Sequence, residues 1–168
     1  MADLSLTILS EKPEDAGAIE RLNERTFGPG RYARTAYRIR EKIGHRPDLS
    51  FTARVGTLLV GSVRLTPVCI GETKALLLGP LTVEPPFRSR GIAKALMERA
   101  MAEARRQGHR LIVLVGDAPY YARVGFRQIP KGQVMLDGPV DPARMLVAEL
   151  AEGAFEGVSG IVRPDWDA

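Results

Sequence analysis

An apolar segment ending at Val83, a helical pattern from Ile92 to Gln107 and a second apolar run, Leu111-Ile112-Val113-Leu114-Val115, follow one another with only short connections. No other part of the chain restricts the fold as much. Strand, helix and strand in that order close as a right-handed crossover with the two strands parallel. The run 111–115 carries no polar residue, as expected of a strand buried on both faces. On the helix, Ile92, Leu96, Ala100 and Ala104 share one face with Ala93 and Met97 beside it, while Lys94, Glu98, Glu103 and Arg106 point elsewhere. Gly108 supplies the stop. Units of this type bind ligands at the carboxyl ends of their strands, here near Val83, Arg88 to Ala93 and Gly116-Asp117.

The loop entering the helix reads Arg88-Ser89-Arg90-Gly91-Ile92-Ala93. Glycine there lets the backbone run close to a ligand, and the helix start behind it offers unpaired N–H groups and a positive dipole end. The result is an anion cradle. Arg88, Arg90 and Lys94 add charge suited to a phosphate-bearing ligand, although charge at a helix start is also an ordinary solvated surface.

At 168 residues, 45% hydrophobic and 26% charged, the chain is expected to form one domain over 1–168 with a substantial core. The net charge of +4 favours anionic partners, and a polyphosphorylated small molecule suffices to explain it. Nucleic acid fits less well: there is no basic tail, no zinc-spaced Cys and His, and only 6% aromatics for base stacking. Cys69, the sole cysteine, excludes an intrachain disulfide and reads as a small buried hydrophobe rather than a nucleophile. The N-terminus shows no basic segment followed by an apolar one, and no apolar run approaches ~20 residues, so a cytoplasmic, membrane-free protein is expected.

Leu4, Leu6 and Ile8 alternate as a half-buried strand. A helix should open at Pro13-Glu14-Asp15 and stop at Gly28-Pro29-Gly30, with a second, basic helix over 31–43. Ser50 to Val55, Leu58 to Pro67 and Lys74 to Val83 read as an antiparallel meander, turning at Gly56-Thr57 and Gly71-Glu72. Gly79-Pro80 interrupts the third strand, and because proline donates nothing to a ladder, pairing should fail there on at least one side. Ala118 to Val124 is short and helical, 125–129 extended, and Met145 to Leu150 the final strand of a C-terminal strand and tail, 144–168. The Gly-rich tail from Glu152 lacks periodicity; Phe155, Ile161, Val162 and Trp166 either pack or mediate self-association, including a possible homodimer.

With these elements placed, the chain resembles the GNAT superfamily of N-acetyltransferases. The family's loop, Gln or Arg, two residues, Gly, one residue, then Gly or Ala, is matched by Arg88, Gly91 and Ala93; its tyrosine followed after three residues by Gly-Phe is matched by Tyr121, Gly125 and Phe126. The strings Leu78-Gly79-Pro80-Leu81 and Gly116-Asp117-Ala118-Pro119-Tyr120-Tyr121 look like the YhbS-like branch. The cofactor motif then spans 75–129. The resemblance implies a mixed α/β (α+β) GNAT fold: antiparallel N-terminal strands, a central β-α-β crossover and a splayed strand pair forming the acetyl-CoA cleft. It places a pantetheine arm along Leu81, Thr82 and Val83 and a pyrophosphate on Arg88, Ser89, Arg90, Gly91, Ile92, Ala93 and Lys94. It implies acetyl coenzyme A as acyl donor, an amine acceptor and no metal.

Acetyl transfer needs a neutral amine, a donor to the carbonyl oxygen and a group to receive the departing thiolate. By resemblance, an N–H near Val83 meets the oxyanion and Tyr121 meets the sulfur, while packing beside Tyr120 is the plainer role for Tyr121. For the base, the strand before the loop carries no carboxylate; Asp117 is a candidate, though it equally suits a helix cap, and Glu84 is an alternative. His45 and His109 show no partner spacing for a triad or metal and read as surface or turn residues. A noncatalytic acyl-CoA sensor is the competing class.

Overall fold

The computed structural model describes residues 5–28 and 35–168, apart from the side chains of Thr35 and Tyr37. Leu4, Pro29, Gly30 and Tyr32 therefore lie outside the described residues. Strands β1 (Leu6–Ser10), β2 (Phe51–Val55), β3 (Leu58–Ile70), β4 (Thr73–Val83), β5 (Leu111–Val115), β8 (Met145–Glu149) and β6 (Arg127–Gln128) form one sheet in the order β1-β2-β3-β4-β5-β8-β6. Only β4 and β5 among them run parallel. The meander and the crossover stand where the apolar patterns place them, and the fold is the mixed α/β architecture the resemblance implies.

Helices cover both faces. Helix α1 (Ala16–Phe27) follows a 3-10 turn at Pro13–Asp15 and ends at Gly28, while α2 (Thr35–Lys42) buries Ile39. Helix α3 (Ile92–Arg106) turns Leu96, Met97, Ala100 and Ala104 onto the sheet, where they meet Val63, Leu65, Leu76 and Ile112 in one continuous core. On the opposite face Leu77 and Val113 join Ile39, Val147 and Val162 in a second core. β1 is an exposed edge rather than half-buried; only Ile8 packs inward.

The tail corrects the expectation of a final strand at 145–150. Beyond it, β9 (Gly160–Pro164) pairs antiparallel with Val68–Ile70 of β3 and parallel with β7 (Val134–Leu136). Neither short strand alternates over enough residues to be read from pattern alone. Phe155 and Val162 are buried, Ile161 is half-buried, and Trp166 is 67% exposed. Cys69, on this stretch of β3, is half-buried, and burial, with Asp165 nearby, pushes its thiol above the ordinary value, which suits an inert side chain.

His45 also departs from expectation. Its Nε2 lies 2.8 Å from Oε2 of buried Glu11, whose other oxygen accepts from Arg64 Nε at 2.9 Å. Burial pushes the Glu11 carboxyl up, but the hydrogen bonds with His45 and Arg64 outweigh it and hold the group below its usual range. This ion pair braces β3 from the side of α1. Removing residues 160–168 is expected to uncover Val68 and Ile70 and to lower stability by about 2 kcal/mol or more, read as a fall in the urea midpoint.

Candidate active site

Pairing between β4 and β5 is confined to Leu76 with Ile112 and Leu77 with Val113. Past that point the two strands run on with no ladder between them. The cause lies at Gly79-Pro80. Opposite β3, the step from Val63 to Leu65 faces the longer step from Leu81 to Leu78, so β4 carries one extra residue and bends. Pro80 lacks an N–H, and Gly79 holds φ +132°, which L side chains rarely adopt. A cleft of about 1120 Å³ opens in the gap.

Strand alternation fixes where the open backbone points. Glu84 N–H donates to Val60 O at 2.8 Å, so the amides of Glu84 and Thr82 face β3 and those of Leu81 and Val83 face the gap. The Thr82 hydroxyl donates to Asn23 Oδ1 at 2.7 Å, tying β4 to α1 through two buried side chains. At the far end Gly91, with φ +80°, is the N-cap of α3, and a Cβ there would meet nothing within 4 Å. The first-turn amides of α3, which no helix satisfies internally, therefore start at an open wall of the cleft.

Of the loop residues, Arg88, Ser89, Gly91, Ile92, Ala93 and Lys94 line the cleft. Arg88 Nε donates to Val83 O at 3.3 Å, closing the loop on the strand end. The Ile92 side chain is core, which leaves only its backbone for a ligand. Arg90 turns aside, its guanidinium 5.9 Å from the Phe87 ring centroid, and does not line the cleft.

Tyr121 closes helix α4 (Ala118–Tyr121) on the opposite wall and packs edge-on against Tyr120 and Phe126, with centroids at 4.9 and 6.0 Å. Its ring lies so close to Gly116 that any side chain at 116 would overlap it. Burial pushes the phenol up to about 12; Tyr120 and Asp117 add to the shift, and the charges of Arg144 and Arg40 oppose it. Asp117 takes the N-cap position of α4 through its carbonyl, which accepts from Tyr120 and Tyr121 N–H at 3.1 Å each. Its side chain makes no capping bond, is 79% exposed and stands 3.9 Å from Arg144 Nε. Glu84 is held by Arg25 of α1.

The first two helices also contribute to the site. Asn23, Thr26 and Phe27 of α1 and Arg40 of α2 line the cleft, and the Arg40 guanidinium occupies the place a Cβ on Gly79 would need. Helical spacing of residues 23, 26 and 27 was the available signal; their distance to β4 is set by tertiary packing that no local pattern carries. Among the described residues no group of three or more His, Cys, Asp or Glu side chains is placed to hold a metal ion.

Residues 47–128 match the family model for the acetyltransferase (GNAT) domain. YhbS of Escherichia coli K12, named as an uncharacterized N-acetyltransferase, is 28% identical over 159 residues, 94% of this chain and 95% of that protein. The crystal structure of E. coli YhbS with CoA superposes with a TM-score of 0.82 at 25% identity, covering 98% of this chain and 92% of that one. A GNAT acetyltransferase from Brucella melitensis in complex with acetyl-CoA gives 0.61 at 25% identity, over 92% and 100% of the two chains.

Substituting Gly116→Ala is expected to drive the Tyr121 ring out of its niche. The latest phenolate step in a stopped-flow absorbance titration then moves from about 12 toward the ordinary ~10, with a stability loss of about 1–3 kcal/mol. Residues 47–128 thus match the GNAT acetyltransferase domain, and the chain shares the fold of the CoA-bound E. coli YhbS.

Proposed function

We propose that this protein is an N-acetyltransferase of the YhbS-like branch, moving acetyl from coenzyme A to a primary amine by direct attack on the thioester. The observation that carries the reading is the parting of β4 and β5 after Leu77, with open amides at Leu81 and Val83 and an α-helix start at Gly91 facing the same gap. YhbS was solved with CoA in the same fold, which supports the assignment of ligand. The pantetheine amides pair with the free edge of β4, and the diphosphate lies on the amides behind Gly91, with Arg88 and Lys94 at its flanks.

The amine lone pair attacks the thioester carbonyl carbon. A β4 amide, Val83 or Leu81, donates to the oxygen as it turns negative. The carbon–sulfur bond breaks, sulfur leaves with the electron pair, and the nitrogen sheds its extra proton to Asp117, directly or through water. Tyr121 donates a hydrogen bond to the sulfur. Full proton transfer is not its role: burial pushes the phenol up to about 12, so the proton stays on oxygen while the hydrogen bond steadies the sulfur.

Thiol release from acetyl-CoA against a panel of amines tests the reading, and acetyl-CoA that binds without ever acetylating an amine would leave the sensor function instead. Tyr121→Phe should lower kcat by ~10²-fold while the acetyl-CoA Kd stays within ~3-fold. Because a raised phenol pKa keeps Tyr121 protonated, the kcat profile should show no falling limb below about pH 11; a limb near pH 9 that vanishes in the phenylalanine variant would contradict this. Gly91→Ala places a Cβ toward the diphosphate and strains an αL position, so the CoA Kd should rise ~10-fold with kcat largely kept.

A further inference from the structure

Resting on the acyltransferase reading above, we infer that the acceptor is a primary amine bearing an apolar group, received by an aliphatic chamber on the α2 side of the cleft. Strand alternation separates the two sides of the gap. Ile112 and Leu114 of β5 face the first core, beneath α3, together with the Tyr121 ring, whereas Leu111, Val113 and Val115 face the second. The diphosphate cradle at Gly91 opens α3 and so belongs to the first side. A cofactor laid from that cradle along β4 leaves its thioester open to approach from the second side.

Four residues from separate segments meet on that second side: Ala36 of α2, Val115 at the end of β5, Leu136 of β7 and Val140 in the connection to β8. All four line the cleft, Leu136 as a member of the second core and the other three packed against it, half-buried. None has a side chain that hydrogen-bonds, so the chamber offers an acceptor only contact with carbon. The charged groups nearby are directed elsewhere. Arg40, one turn after Ala36, reaches across to Gly79 of β4. Of the two acids lining the cleft among the described residues, Asp117 is 79% exposed and stands by Arg144, and exposed Asp141 accepts from the Ala143 amide at 2.9 Å. An apolar group seated in the chamber gains from leaving water, and a second ammonium group placed there would lose its hydration without compensation. The same surroundings favour the neutral form of the attacking nitrogen, which matters because β4 carries no carboxylate between Leu77 and Val83.

The test runs n-alkylamines of increasing length, from ethylamine to hexylamine, beside the matching α,ω-diamines, by thiol release from acetyl-CoA and by calorimetric titration into CoA-saturated protein. In the wild type kcat/KM should rise ~4-fold per methylene, with each longer monoamine preferred at least ~10-fold over its diamine. Val140→Thr should reduce the gain to ~2-fold per methylene, and Ala36→Leu, which fills the chamber, should move the optimum to a shorter amine, both with the acetyl-CoA Kd within ~3-fold of wild type. The two variants lie on different elements, so either one decides if the other does not fold. A rate independent of amine length, a preference for diamines, or a length preference that follows the acyl chain of the donor, butyryl-CoA over acetyl-CoA, would overturn the inference and leave acyl transfer standing. If no amine is acetylated, the function proposed above fails, and titration still decides for the chamber: hexylamine binding with a negative heat-capacity change that Ala36→Leu abolishes supports it, and no hexylamine binding to the wild type overturns it.

Discussion

β4 lies in the middle of the sheet, yet beyond Leu77 its backbone is satisfied on one side only. Interior strands seldom tolerate this, because each buried donor or acceptor left without a partner costs about 1–3 kcal/mol. Here the neighbours compensate for the missing ladder by packing. Leu81 and Val83 enter the core under α3, Thr82 bonds Asn23 of α1, and Arg88 bonds back to the Val83 carbonyl. The gap therefore has donors and acceptors already aimed into it, so that a ligand edge with the spacing of a strand can take the place of the absent ladder.

The bulge that opens the gap is also anchored from behind. Arg64 is the β3 residue between Val63 and Leu65, opposite the extra residue of β4, and its guanidinium bonds both oxygens of Glu11 at 2.9 and 3.2 Å. His45 holds the same carboxylate. The cleft itself divides in two along its length. One end is built from helix amides and flexible cations and suits charge; the other is built from the buried ring of Tyr121, the bulge and α1, and suits a reaction in which charge appears only briefly.

The crossover, the meander and the α3 loop were legible because their signals are local. Ile92 to Ala104 repeats with helical spacing, Leu111–Val115 is uniformly apolar, and Gly79-Pro80 marks a break that any ladder must respect. What stayed hidden depends on distances between segments far apart in the chain. Gly116 reads as a strand end until the ring of Tyr121 is seen lying on it, and Arg40 reads as one solvated cation among several on a basic helix. His45 has no sequence neighbour to pair with because its partner is Glu11, 34 residues earlier and beyond both α1 and α2. β7 and β9 were missed for a different reason: each is short, and each is fixed by pairing to a partner instead of by an alternation of its own.

Along the edge turned away from β4, the thirteen-residue strand β3 divides its length between two partners, β2 along Leu58–Val63 and β9 along Val68–Ile70. The second of these arrives roughly ninety positions later in the chain, which makes it among the most non-local pairings in the molecule. During synthesis, the upper part of β3 must therefore wait with bare amides and carbonyls while the entire ligand-binding half emerges and folds. Until residues 160–164 leave the ribosome, that stretch is a sticky edge, and a chaperone or a neighbouring nascent chain has its opportunity there.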